Sequence, residues 1–203
     1  MAQSSILNRQ SSTRTMPWRR LVITLAVIAP ILWLLAFGFQ RDARYINSPL
    51  IAKQAAPFTL PLFDGRTVTL QELRGKAVFL NFWASWCPPC RAEAKDLEAA
   101  WQRVKNKNMV FVGVALQDTD KDARGFVQEF NVSYPIGRDD SGKIAVDYGV
   151  WGIPESFFID PQGRITYKHV GGIGAPMVTT KLEEALRGIV TAKEGQGEFQ
   201  SIR

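Results

Sequence analysis

The sequence predicts an α/β fold: a mixed central sheet flanked by helices, with a small β extension ahead of it. Two runs, "KAVFLNFWA" (Lys76 to Ala84) and "MVFVGVAL" (Met109 to Leu116), are almost continuously apolar and rich in strand formers, the pattern of strands covered on both faces. Each is followed by a stretch with helical spacing, "CRAEAKDLEAAWQRVKNK" and "TDKDARGFVQEF". Strand, helix, strand, helix implies a βαβ unit with a right-handed crossover.

Taken in order, the chain of 203 residues begins with a basic flank. Leu21 to Phe39 is nineteen residues without a charge, and at ~1.5 Å per residue it nearly matches a hydrocarbon core of about 30 Å. Arg9, Arg14, Arg19 and Arg20 precede it with no acid; Arg41 and Arg44 follow with Asp42. This asymmetry predicts a transmembrane anchor over 21–39, a cytoplasmic N-terminus over 1–20 and an exported remainder. The alternative is a cleaved signal peptide ending at Ala36-Phe37-Gly38, although secretory apolar regions usually run only about 7–15 residues. Either reading exports the domain.

The net charge of +6 belongs to this flank: residues 1–44 carry six arginines against one aspartate, whereas the rest of the chain is close to balanced. Nucleic-acid binding gains no support from it. A polar linker is expected over 40–54, a globular domain over 55–190, and a polar, frayed tail over 191–203.

Within the domain, "PFTLPLFDGRTVTLQEL" alternates apolar and polar residues around the turn Asp64-Gly65, the mark of a small β element. The helix after the first buried run starts near Pro88 and Pro89, where proline is tolerated in a first turn, and repeats apolar positions at Ala94, Leu97, Trp101 and Val104. Thr119 or Asp120 caps the next helix. "DDSGKIAVDYGV" reads as a short helix, "ESFFID" as a strand, "PQG" as a turn, "RITYKHV" as its antiparallel partner, and Pro176 to Ile189 as a closing helix.

Both cysteines of the chain, Cys87 and Cys90, lie in "NFWASWCPPCRAE". A structural zinc needs more ligands than two cysteines and the single His169 supply. Soft copper can be held by fewer, and that reading stays open. A structural disulfide across so short a loop constrains the unfolded chain little. Redox exchange fits the placement: at a strand end and in a first helical turn, free N–H groups and the helix dipole stabilise a Cys87 thiolate. Cys90, one turn further in, would be the resolving thiol. The Pro-Pro doublet and the second cysteine match an interchange motif better than a peroxidatic one.

In this strand–motif–helix setting, "FLNFWASWCPPCRAE" resembles the active-site segment of the thioredoxin superfamily, in particular its membrane-anchored extracytoplasmic branch. "YGVWGIPESFFIDPQGRITYKHVGGI" (Tyr148 to Ile173) resembles the signature of the thiol:disulfide interchange proteins of cytochrome c maturation, the DsbE/CcmG family, with its G-V-x-G-x-P-E-T-F pattern. Ser156 departs from the usual threonine but keeps a hydroxyl.

The resemblance implies a thioredoxin-like fold with a cis bond before Pro154, beside the redox pair. Glu155 then sits near the cysteines, where a carboxylate raises a thiol pKa and makes the dithiol a better reductant; its alternative is a solvated surface charge. Glu93 can serve the same end or be an ordinary first-turn glutamate. Trp86 is expected to shield the sulfur and offer a substrate rim, with Trp83 in the core. Trp151 and Ile153 line the groove or are merely buried, and His169 is a surface or packing residue.

The implied activity is that of a periplasmic thiol:disulfide oxidoreductase of the inner membrane, which reduces apocytochrome c at C-x-x-C-H sites before haem attachment. The implied reductant is a membrane thiol-disulfide electron carrier of DsbD/CcdA type. No organic cofactor and no metal are implied, because the dithiol carries the two electrons. Two alternatives remain: an anchored reductase of another exported protein, such as a copper-site oxidase subunit, and a copper-binding chaperone.

Overall fold

The computed structural model describes residues 18–39, 48–191, 195–197 and 200–202. It divides into two compact units, Met1–Ile46 and Asn47–Arg203. The first contains α1, Trp18–Phe39, with Pro30 inside it. Among the described residues no helix is long and apolar enough to cross a membrane, so the anchor expected over 21–39 is a helix here without being shown to span.

The second unit opens with a β extension, β1 (Thr59–Pro61) antiparallel to β2 (Thr67–Thr69) across the Asp64-Gly65 turn. Central strand β3 (Ala77–Trp83) is buried at every position. It leads into α2 (Pro88–Val104), then β4 (Met109–Ala115), α3 (Asp120–Glu129), β5 (Ile136–Arg138) and the short α4 (Lys143–Asp147). The second half comprises β6 (Gly152–Ile153), β7 (Glu155–Ile159), β8 (Ile165–Val170), α5 (Ala175–Leu186), β9 (Gly195–Gln196) and β10 (Gln200–Ser201). The main sheet has the order β5-β4-β3-β7-β8-β9. The β3–β4 and β4–β5 pairs are parallel and the β3–β7 and β7–β8 pairs antiparallel, so the sheet is mixed, as two apolar runs and a strand pair require.

Aromatic rings fill both faces of β3. Phe79 meets Phe111 at 4.6 Å and Phe158 at 5.1 Å between centroids; Phe82 packs at 5.7 Å from both Tyr148 and Phe157. Trp83, expected in the core, stacks on Phe126 at 4.2 Å. Thr119 caps α3, its hydroxyl accepting from the Asp122 amide at 3.0 Å. Thr119→Ala is expected to cost about 1 kcal/mol of stability, read by urea unfolding of the two chains.

Two segments differ from expectation. Strand β5 carries little strand signal because Pro135 and Gly137 interrupt it; it forms because Gly137 admits the β extension, and a Cβ there would lie 2.1 Å from the Pro61 carbonyl oxygen. The tail beyond Thr191, expected to fray, pairs instead: β9 lies parallel to β8 and β10 antiparallel to β6.

Candidate redox site

Strand β3 ends at Trp83, and Ser85 turns the chain into α2. The turn is fastened by Asp118, whose carboxylate accepts from the Ser85 amide at 2.6 Å and hydroxyl at 2.8 Å. Cys87 is then the N-cap of α2: its Sγ accepts from the Cys90 amide at 3.2 Å. A sulfur so placed receives a free helix N–H and the positive end of the helix dipole, which favour a thiolate. Cys87 and Cys90 form a disulfide, Cα to Cα 5.3 Å. Both are buried.

Opposite this turn runs β6. The Ile153 carbonyl oxygen lies 3.7 Å from Cys87 Sγ, and the Ile153–Pro154 bond is cis. Ile153 is fully buried, whereas Trp86, next to Cys87 in the chain, and Trp151 are exposed. Trp86 is held by its indole N–H, which donates to the Gln117 carbonyl at 3.0 Å.

Both glutamates singled out by sequence are buried, so Glu155 is not a solvated surface charge. Glu155 Oε1 accepts from the Trp151 and Gly152 amides at 3.0 and 3.1 Å and so shapes β6, while Oε2 forms an ion pair with buried Lys168 at 3.0 Å. Burial pushes the Glu155 carboxyl up, and Lys168 opposes that shift. The lysine also offsets the field that an ionised Glu155 would exert on the cysteines.

Glu93 shares the inward face of α2 with Cys90, one turn further on. Its Oε1 accepts from Asn81 Nδ2 at 3.1 Å and its Oε2 from the Ile173 amide at 2.9 Å. Asn81 also donates to the Ser156 hydroxyl at 3.1 Å, tying β3, α2 and β7 together. Burial pushes Glu93 up to about 8, against the lowering effect of the Ile173 and Asn81 hydrogen bonds. At neutral pH Glu93 is therefore mostly protonated, and repulsion of a thiolate by its charge begins only above that range.

His169 is a buried packing residue, its Nε2 3.1 Å from the Gly172 carbonyl oxygen. Sequence reasoning did not single out Asn81, Gln117, Asp118 or Lys168. Asn81 and Lys168 did carry a signal, as polar residues inside runs that otherwise read as buried strands. Among the described residues no group of three or more His, Cys, Asp or Glu could hold a metal ion.

A model of the AhpC/TSA family matches residues 51–168, which include the whole redox turn and β6. The chain belongs to the AhpC/TSA family, within its thioredoxin-like proteins. It is 36% identical over 169 residues to the thiol:disulfide interchange protein DsbE of Allochromatium vinosum, covering 81% of this chain and 91% of that protein. Against the thiol-disulfide oxidoreductase ResA of Bacillus thuringiensis it is 31% identical, covering 75% and 86%. A crystal structure of a thioredoxin-family thiol:disulfide interchange protein from Chlorobium tepidum superposes with a TM-score of 0.62 at 27% identity, over 66% of this chain and 95% of that one. This family member is a thiol:disulfide oxidoreductase, and Cys87 and Cys90 are the pair present to do that chemistry.

Proposed function

We propose that the chain is a reductase of protein disulfides exported across the inner membrane, and that its target is the C-x-x-C-H segment of apocytochrome c. The observation that carries the reducing direction is the burial of both sulfurs, with the buried Glu93 carboxyl one turn from Cys90 on the same face of α2. A thiolate-stabilising site makes a strong oxidant; burial away from water works against the charged thiolate and so favours a reductant. The DsbE likeness supports the choice of target.

In the reduced enzyme, the Cys87 thiolate attacks one sulfur of the substrate disulfide. A Cys87–substrate S–S bond forms, the substrate S–S bond breaks, and the departing thiolate takes up a proton. Cys90 then loses its proton and attacks Cys87 Sγ, closing the Cys87–Cys90 disulfide and releasing the second substrate thiolate. Two electrons pass to the substrate. Glu93, protonated near neutral pH and one turn from Cys90, is the buried group that exchanges protons with this thiol. Trp86, Trp151, Ile153 and Pro154 form the substrate rim. A membrane thiol-disulfide carrier of DsbD/CcdA type reduces the closed disulfide again, and no organic cofactor is required.

The proposed layout is a cytoplasmic N-terminus over 1–20, a retained anchor over 21–39, a linker over 40–54 and a periplasmic domain over 55–190. The uncharged run and the arginine asymmetry around it support this orientation.

The test uses the full chain with Cys90→Ser, in which a mixed disulfide cannot resolve, mixed with an oxidised C-x-x-C-H peptide and a scrambled disulfide competitor. Mass spectrometry is expected to find a Cys87 adduct enriched in the haem-site peptide. An adduct without preference would remove apocytochrome c as the target. No adduct, with Cys87 unmodified, would overturn the interchange mechanism and favour copper binding.

A further inference from the structure

Strand β6 is two residues long and, among the described residues, pairs in a two-stranded sheet with β10 from the C-terminal tail. Gln200 stands opposite Ile153 and Ser201 opposite Gly152, antiparallel. The Ile202 amide continues the ladder at 3.5 Å from the Trp151 carbonyl oxygen. Hydrogen-bonded pairs alternate along an antiparallel ladder, so the Ile202–Trp151 pairing puts Gln200 and Ile153 in the hydrogen-bonded position as well. The Ile153 carbonyl oxygen is the group 3.7 Å from Cys87 Sγ. The tail thus pairs with the stretch of backbone that faces the reactive sulfur.

The same segment reaches the other rim. Gln117 Nε2 donates to the Ile202 carbonyl at 3.3 Å, and the Gln117 carbonyl holds the Trp86 indole. Residues 200–202 therefore link the Trp86–Gln117 side of the redox pair to the Trp151–Ile153 side, and Cys87 beneath is fully buried. Upstream, the tail lies flush on the sheet because it is glycine there. The Gly197 amide donates to the Val170 carbonyl at 2.6 Å, and a Cβ on Gly197 would come within 2.5 Å of the Gly172 carbonyl oxygen.

A protein disulfide must approach Cys87 within an extended segment, and an unpaired strand edge binds such a segment by main-chain hydrogen bonds. Here that edge is already paired. We propose that residues 200–202 are an intramolecular occupant of the substrate-docking edge, which a protein substrate must displace before its disulfide reaches Cys87. The proposal rests on the reading of this chain as a reductase of protein disulfides. A pairing so short makes few hydrogen bonds, so a longer substrate strand outcompetes it while short or poorly matched segments are excluded. The tail then sets a threshold for which disulfides are reduced.

The test compares the reduced full chain with its Gln200→Pro variant, which lacks the amide that faces Ile153, and with Gly197→Val, which cannot seat the tail on β8. Each is mixed with an oxidised C-x-x-C-H peptide and, separately, with hydroxyethyl disulfide, which has no backbone to pair. Both variants are expected to reduce the peptide at least about fivefold faster, with hydroxyethyl disulfide reduced at the parent rate. A synthetic peptide of residues 196–203 added to the Gln200→Pro chain should slow the peptide reaction again. Unchanged or slower peptide reduction in both variants would overturn the proposal. So would an equal acceleration with both disulfides, since that reports general loosening of the site. If neither the parent nor the variants reduce the peptide, the reading of protein substrates falls, and the tail proposal with it.

Discussion

Replacing Cys87 with serine is expected to abolish disulfide reduction, whereas replacing Cys90 leaves the first chemical step intact and stops the second. The asymmetry follows from the helix start. Cys87 Sγ occupies the N-cap and accepts the Cys90 amide at 3.2 Å, so its thiolate has a hydrogen-bond donor and the helix dipole in support. Cys90 lies inside the first turn and points into the core with Glu93 on the same face. A serine hydroxyl does not attack a disulfide at neutral pH, because the thiolate is the nucleophile. Turnover of both variants should therefore fall by roughly three orders of magnitude or more, the scale seen when one member of a unit that acts together is lost. Single-turnover trapping separates them: Cys90→Ser accumulates a mixed disulfide and Cys87→Ser does not. Equal trapping by both variants would overturn the assignment of roles.

Glu93 should make the oxidised chain lose stability as pH rises from about 5 to about 8. In the unfolded chain this carboxyl ionises near 4.5, and in the folded chain burial holds it protonated up to about 8. Between those values the folded state binds a proton that the unfolded state has released. Stability is then greatest below the lower value, falls across the window, and is flat again above the upper one. The steepest slope from one such group is about 1.4 kcal/mol per pH unit. Glu93→Gln removes the titration but keeps an acceptor for Asn81, at the cost of one hydrogen bond near Ile173. Urea unfolding across this range should show the parent losing on the order of 3 kcal/mol relative to Glu93→Gln between pH 5 and pH 8. Parallel pH profiles for the two chains would show that Glu93 is not the buried proton carrier.

Much of the fold is visible in residue order because its signals are local. The apolar runs at Lys76 to Ala84 and Met109 to Leu116 become β3 and β4 within a residue or two, and Pro88 and Pro89 mark the start of α2. Asp64-Gly65 turns the small β extension. Short strands such as β5 escape local reading because their stability comes from neighbours far away in the chain: Gly137 is in a strand because Pro61 packs against it. The same holds for the tail, whose polar composition is that of a loose end until β6 and β8 supply its hydrogen bonds.

The α/β architecture, the C-x-x-C pair and the family pattern around Pro154 can be read from residue order, since these depend on spacing within short segments. The surroundings of the charged groups and the pairing of the C-terminal tail arise only when distant segments fold together. Glu93 and Glu155 are both acids in the sequence, yet packing brings Asn81 and the Ile173 amide to one and Lys168 to the other, from elements as much as 80 residues away. Burial then governs whether each carries a charge, because the cost of an ion depends on what surrounds it. The strand opposite Ile153 is likewise a property of the folded chain alone: main-chain hydrogen bonds carry no residue code, and 47 positions separate Gln200 from its partner.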